Sequence, residues 1–535
     1  MSDARRAGIV ALLVLLAGGA VLHASRMGSI RFDGVGLIWW YAAVVAPGLA
    51  GLITTLALAG SGAPRAGVGA IAPWVGPAVV TTLTAQTFAG AGAPALALAA
   101  SGAPLLALLG GSPARDEDAG LVARVLTALA LGLVLCAQFI ALADVGRVLG
   151  VARWPMLLAV TAMTLFATLG KRARWTRTPA LIGGTVALLA VLAAVGVLVG
   201  IPPWSAWRGL AARPSLAFAS AGSPVTAGVT VLVPTTLVFS EPHRVTALSQ
   251  GVVRVVERDA AQPVVREWRL APGESVTLRP GDELGAGPGL RLGFEPGRRV
   301  PGAAPSGAAW AELGEPGSEA LVSAAGLMLT LAGGALILAP RAREAGRLQL
   351  LTATSLAVAV PVALVAWGVY AAWARAELAL GAPPAAPFVR LPLAAVRPPW
   401  NVLLTAVTVL AAFALFAAAA GALCARFDEL TGSSTRAVPP GRQSARGMWV
   451  AVVVAAAVAA VAPLSAWSVL RLGAGLGVSV WAASIANGGR GSRLTSTLAG
   501  AGGFLALVFG GMAPERAALL AVPLAWAVGV ALRRA

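Results

Sequence analysis

The chain has 535 residues, 58% of them hydrophobic and 12% charged, with a mean hydropathy of +0.82. That balance excludes a soluble globular protein and describes a chain that crosses a bilayer many times. The formal net charge of +18 comes from 39 arginines and Lys171 set against 22 acids, and only its distribution can say whether it serves a polyanion or a membrane.

Arg5 and Arg6 open an apolar run that reaches about Ala24. The residues around Leu22 and His23 are too large for a signal-peptidase site, so this run is read as an uncleaved span. A span needs roughly 20 apolar residues. Residues 1–200 hold seven such runs, near 8 to 24, 36 to 59, 67 to 88, 93 to 111, 121 to 143, 154 to 170 and 179 to 200. Residues 320–535 hold seven more, near 320 to 339, 349 to 374, 400 to 424, 448 to 469, 472 to 488, 495 to 512 and 515 to 532. The sequence therefore predicts a polytopic α-helical membrane protein with about 14 transmembrane helices, seven on each side of a polar block at 201–319.

Loop charge tests that arrangement. With the N-terminus inside, the inner loops carry 20 basic residues and the outer loops, leaving the block aside, carry nine. The excess places both termini in the cytoplasm of a cytoplasmic (inner) membrane and residues 201–319 outside it. The clusters Lys171 to Arg177 and Arg341 to Arg347 are the strongest single signals, and they flank the two helices bordering the block. The block holds 11 arginines and 11 acids and is neutral, so the net charge belongs to membrane loops. A nucleic-acid partner is excluded on that ground, and the lipid bilayer is the partner that composition implies. Trp39, Trp40, Tyr41, Trp154, Trp204, Trp207, Trp400 and Trp449 fall at predicted span ends, as headgroup-level rings do.

Within the block the pattern turns from helical to extended. Trp204, Trp207 and Leu210 recur at helical spacing after Pro202 and Pro203, predicting a short interfacial helix. The runs Thr230 to Phe239, Gly251 to Glu257, Pro263 to Leu270, Ser275 to Leu278 and Leu290 to Phe294 are rich in Val, Thr and aromatics. Pro- and Gly-bearing turns separate them, predicting a small all-β sandwich or barrel. Residues after Arg298 read as a Pro/Gly tether back to the membrane.

Candidate chemistry is sparse. Two cysteines, Cys136 and Cys424, and two histidines, His23 and His243, cannot build a disulfide framework, a structural zinc site or a bis-histidine haem, so no metal and no cofactor is expected. Asp144 alone among the acids approaches a hydrophobic interior, where an ionisable group is costly and commonly kept for function. It lies three residues before Arg147, which suits a local ion pair. Gln86, Gln138 and Asn487 are polar groups in or near spans, suited to interhelical hydrogen bonds or to a substrate path. Asp33, in the first outer loop, is the weak catalytic candidate, by analogy with membrane glycosyltransferases that place a base there. In the block, Glu241, His243, Arg244 and Arg254 are candidate partner-binding residues, though mixed charge on strands is ordinarily a solvated face.

These observations make the protein more a non-enzyme than an enzyme. The expected function is a scaffold or assembly factor of a bacterial-type cell envelope, whose β-domain binds an envelope protein or a lipid-linked glycan. The alternative is a transporter or lipid-linked flippase built from two inverted seven-helix halves. A glycosyltransferase using Asp33 is a second alternative.

Overall fold

The computed structural model describes residues 27, 29–32, 35–59, 67–90, 93–108, 120–168, 173–218, 228–258, 263–311, 318–339, 346–432, 443–461, 464–487 and 493–534. The chain is predominantly helical, with small antiparallel sheets confined to two stretches. Among the described residues six helices are long and apolar enough to cross a membrane. They are α1 (Leu37–Leu58), α4 (Leu121–Val148), α6 (Ala173–Val199), α10 (Arg347–Ala374), α12 (Trp400–Gly432) and α16 (Pro514–Arg534). Between them run the shorter α2 (Pro77–Ala89), α3 (Ala93–Leu108), α5 (Arg153–Thr168), α9 (Val322–Leu338), α11 (Ala386–Ala395), α13 (Gln443–Val461) and α15 (Arg493–Phe509), together with the 22-residue α14 (Ala466–Asn487). The expected run at 8 to 24 lies outside the described residues. Each later run overlaps helix, with two differences. The expected break at 470 to 471 falls earlier, because α14 begins at Ala466 and carries Leu470 fully buried.

The other difference is at 67 to 88, where no continuous span forms. Two 3₁₀ turns, Val68–Ala70 and Ala72–Trp74, lead into α2, which is only 13 residues long. Pro73 has no N–H to donate, and Pro77 cannot continue a helix from the residues before it but suits a helix's first turn. Gly76 between them is extended, with φ −77° and ψ 176°. The segment is nearly all buried, packed among α4, α10, α11 and α12. Irregular backbone at membrane depth survives only where protein or a cavity surrounds it.

Small residues set the helix spacing. A Cβ on Gly368 of α10 would lie 2.6 Å from the Thr87 Cβ and 2.7 Å from the Thr84 carbonyl oxygen of α2. One on Gly334 of α9 would come within 3.0 Å of three Ala474 atoms of α14. Glycine at these points lets backbones approach closely, the usual basis of helix association in lipid.

The strands between residues 229 and 294 form two four-stranded antiparallel sheets. They are β3 (Val229–Thr230), β4 (Thr235–Val238), β5 (His243–Ala247), β6 (Gly251–Glu257), β7 (Val264–Leu270), β8 (Ser275–Leu278), β9 (Glu283–Ala286) and β10 (Arg291–Phe294). The orders are β3-β10-β5-β8 and β4-β9-β6-β7. Val245, Val253, Val255, Leu278, Leu284, Leu292 and Phe294 are buried in the core. The expected run Thr230 to Phe239 divides at Pro234 into β3 and β4, one in each sheet. A two-residue ladder, β1 (Arg31–Phe32) with β2 (Val35–Gly36), precedes α1.

Two short helices flank these strands in the chain, α7 (Pro203–Ala211) before them and α8 (Gly307–Ala311) after them. A short helix therefore forms where the spacing of Trp204, Trp207 and Leu210 predicts one. Its stripe divides, however, because Trp207 and Leu210 are buried against the bundle while Trp204 is 55% exposed. The Trp39 indole stacks on Trp310 at 5.3 Å and meets Trp207 edge-on at 5.5 Å, while Trp40 stacks on Trp207 at 5.6 Å. Residues after Arg298 pair back on the way in: Phe218 N–H donates to the Arg298 carbonyl, and Val300 N–H to that of Leu216.

Candidate functional site

Buried polar groups are spread through the bundle, and several of them lie on or against the broken segment. Gln138, fully buried on α4, spans the break: its Oε1 accepts from the Ala78 N–H at 3.0 Å, and its Nε2 donates to the Pro73 carbonyl at 3.1 Å. One side chain thereby satisfies a first-turn donor of α2 and the carbonyl that the break releases. A Cβ on Gly76 would sit 2.6 Å from the same Gln138 oxygen, so the glycine is needed for the amide to reach. Thr81 donates to the Pro77 carbonyl at 2.8 Å. Beyond it Trp74 Nε1, Thr84 Oγ1 and Thr87 Oγ1 are buried with no hydrogen-bond partner among the described residues. Gln86 is half-buried on the same helix. Gln138 meets the start of α2 and Thr84 and Thr87 face Gly368 of α10 further along it, whereas Asn487 closes α14 and its side chain lies outside the described residues.

Asp144 is buried near the end of α4, with Oδ1 4.0 Å from Arg147 Nη1. Arg147 also reaches into the sandwich segment, donating to the Leu232 carbonyl at 3.1 Å. The ion pair therefore sits where bundle and sheets meet. Arg213 donates to the Trp373 carbonyl, Leu232 N–H to that of Gly381 at 2.6 Å, and Trp310 Nε1 to that of Phe88 at 3.0 Å. Tyr370 Oη donates to the Ile201 carbonyl. These bonds end on backbone carbonyls and tie residues 201, 213, 232 and 310, which flank or lead into the sheets, to the helices and their connections.

The four candidates in the sheets do not converge. Glu241 precedes β5, and its Oε1 accepts from the Arg299 N–H at 2.6 Å, locking the stem. His243 is 1% exposed, ringed by Phe218, Phe239 and Phe294 at 5.4 to 5.7 Å, with neither ring nitrogen hydrogen-bonded. Burial holds its pKa below the ordinary imidazole value, opposed by Glu295 and Glu241 and assisted by Arg298. Arg244 is exposed on β5, and Arg254 is exposed on β6 of the other sheet. Asp33 lies outside the described residues. Among those described, no group of three or more His, Cys, Asp or Glu could hold a metal ion.

Two ion pairs, each with one buried member, escaped the sequence reading. Arg471 of α14 makes a two-toothed bond to Glu515 of α16, 2.8 and 2.7 Å to the two carboxylate oxygens, and its guanidinium lies 5.1 Å from the Trp467 ring centroid. Arg426, 3% exposed, lies inside α12 beside Glu429 at 3.4 Å. Sequence distance hides the first pair, and the second was placed in a loop because α12 extends past the apolar run. No protein-family model matches the chain, and no curated protein is recognisably similar to it.

Proposed function

We propose that the protein is a non-enzymatic membrane scaffold whose β-sandwich, on the extracytoplasmic side of a cytoplasmic membrane, binds an envelope protein. In this reading fourteen spans divide seven and seven around residues 201–319, with both termini cytoplasmic. The observation that carries it is the anchorage of the sandwich. Arg147, Arg213 and Trp310 spend their donors on backbone carbonyls across the junction, which holds a small module in fixed attitude over the bundle and presents its remaining surface. The 20-to-9 loop charge excess supports the orientation.

Photo-cross-linking amino acids placed in the full-length chain at Arg244, Gln250 and Val265 should each capture the same extracytoplasmic protein in living cells. Leu49, a 42% exposed residue of α1, serves as the lipid-facing control. Capture no greater than at Leu49 from every sandwich position would refute the scaffold. Gln250→Cys should react with a membrane-impermeant maleimide in intact cells and Gln349→Cys only after permeabilisation; the reverse pattern would overturn the orientation.

One observation favours transport as a second reading. A broken helix with unpaired buried hydroxyls sits in the middle of the bundle beside the short α11, and such interruptions mark substrate sites in transporters. In a Cys136→Ala, Cys424→Ala background, Thr84→Cys should be labelled by a water-soluble maleimide if a path opens there. Complete protection in native membranes rejects transport through this centre.

A further inference from the structure

We propose that the hairpin before α1 is a lipid-inserted wedge. Ile30 and Phe32, together with Trp204 of α7, seat at the boundary between headgroups and acyl chains, and the partner they fit is the phospholipid of that leaflet. The wedge requires that α1 and α6 cross the membrane; it needs neither the scaffold reading nor a choice of orientation.

The first span sets the depth. α1 is apolar for 22 residues, from Leu37 to Leu58, which is about 33 Å at 1.5 Å per residue. The hydrocarbon core of a bilayer is about 30 Å thick, so Leu37 lies near one boundary and Leu58 near the other. The stretch before α1 reads as an outer loop in the sequence, yet it folds back on the helix. Leu37 N–H donates to the Ile30 carbonyl at 2.8 Å, Phe32 pairs with Val35, and Trp40 Nε1 donates to the Phe32 carbonyl at 3.1 Å. The Phe32 ring meets the Trp40 ring edge-on at 6.0 Å. Trp40 belongs to the first turn of α1, so Phe32 is held at the level of that turn, beside the boundary.

The same helix shows what covers these side chains. Phe32 is 65% exposed and Ile30 55%. Trp40 stacks in turn on the buried Trp207 at 5.6 Å, so Phe32 is the outer end of a stack rooted in the core. Val44, Gly48, Leu52 and Leu56 follow Trp40 at intervals of four residues, and all four are exposed. A strip of this kind on a span faces acyl chains. Phe32 stands at its top, and the lipid that covers the strip continues over the ring.

Trp204 reaches the same level from a second span. α6 is apolar for 22 residues, from Thr178 to Val199, and so makes another full crossing. Trp204 follows in the first turn of α7, and Trp207, one turn on, is the ring on which Trp40 stacks. Trp204 is 55% exposed. Two exposed aromatics, one from each span end, thus flank one buried stack, at the level where aromatic rings are favoured.

Nitroxide labels at Ile30→Cys, Phe32→Cys and Trp204→Cys test the seating. The full-length protein carries them singly in a Cys136→Ala, Cys424→Ala background, in phosphatidylcholine vesicles. Power-saturation EPR then compares collision with oxygen, which concentrates among acyl chains, and with a water-soluble nickel chelate. All three labels should favour oxygen and lie about 5–10 Å below the phosphates. Val252→Cys, at a 50% exposed position of β6, should favour the chelate. Leu49→Cys, about 18 Å along α1, should be the deepest. Because Phe32 and Trp204 lie on separate elements, local disturbance by one label leaves the other as a check. Chelate preference at both, as at Val252, would overturn the proposal, and so would a Phe32 depth equal to that of Leu49. Exclusion of both reagents with dipolar broadening between labels would place a second copy of the chain on the wedge and overturn it as well.

Discussion

Replacing Gln138 by leucine keeps most of the side-chain volume and removes both bonds that bridge the broken segment. The Ala78 N–H and the Pro73 carbonyl then lose their partner inside the bundle. Two ordinary interhelical hydrogen bonds in a membrane would be worth about 1 kcal/mol together. Two backbone groups left unpaired and buried cost about 2–6 kcal/mol. Relaxation decides between these figures, and α2 has little room to relax, because Thr84 and Thr87 already lie against Gly368 as closely as a glycine permits. We therefore expect a loss of about 3 kcal/mol, measured by steric trapping of the full-length protein in bicelles. Gly76→Ala tests the same contact from the other side. Its new methyl meets the Gln138 oxygen, so it should cost less in a Gln138→Ala background than alone. Wild-type stability of Gln138→Leu, or strict additivity of the pair, would refute the view that this amide holds the break together.

Further outcomes follow from other sites. His243 is neutral at pH 7, and its folded pKa lies below the unfolded value of about 6.5. Above that pH neither state binds the proton. Below it the unfolded chain takes up a proton that the folded sandwich resists, so stability falls with pH until the folded pKa is passed. Protection factors of the amides in β5 and β10, referred to the intrinsic exchange rate at each pH, should fall between pH 7.5 and 5 in the wild type and stay level in His243→Phe; equal slopes would contradict this. Arg471→Met strands the buried Glu515 carboxylate and should cost about 3–5 kcal/mol, while adding Glu515→Leu recovers most of the loss; thermal melts that rank the double variant below the single would oppose it. Gly307→Ala drives a methyl into the Leu210 carbonyl. It should separate α8 from α7 and expose the stem to limited proteolysis, and an unchanged cleavage pattern would show that the two helices can part without penalty.

Membrane class, the polar interruption and the extended character of residues 230–294 were legible because they rest on composition and short-range periodicity. The long helices α4, α10 and α12 declare themselves by length. The break before α2 was also written in the sequence, as Pro73, Gly76 and Pro77, but hydropathy averages over it and counts an apolar run as a span. β5 and β9 were missed because His243-Arg244-Val245-Thr246-Ala247 and Glu283-Leu284-Gly285-Ala286 are short and mixed, and become strands through pairing with neighbours. Gln138 could be listed as polar and intramembrane, yet its role needs Pro73 and Ala78, some sixty residues away. Arg471 and Glu515 show the same limit, since nothing local links them.

The chain passes into the sandwich beside Trp207 and out of it beside Trp310, and both rings rest on the single indole of Trp39. Just beyond, the ingoing residues Leu216 to Phe218 and the outgoing residues Arg298 to Val300 are zipped together. The doorway is therefore one strand-pair wide, and beyond it Arg147 and Gly381 hold the chain again at Leu232 and Val233, so a replacement module would have to offer the helices those few backbone groups. Evolution or an engineer could cut at the zip and graft another module of closely spaced ends onto the same bundle. The membrane portion would then act as a socket, keeping its architecture while the recognised partner changes.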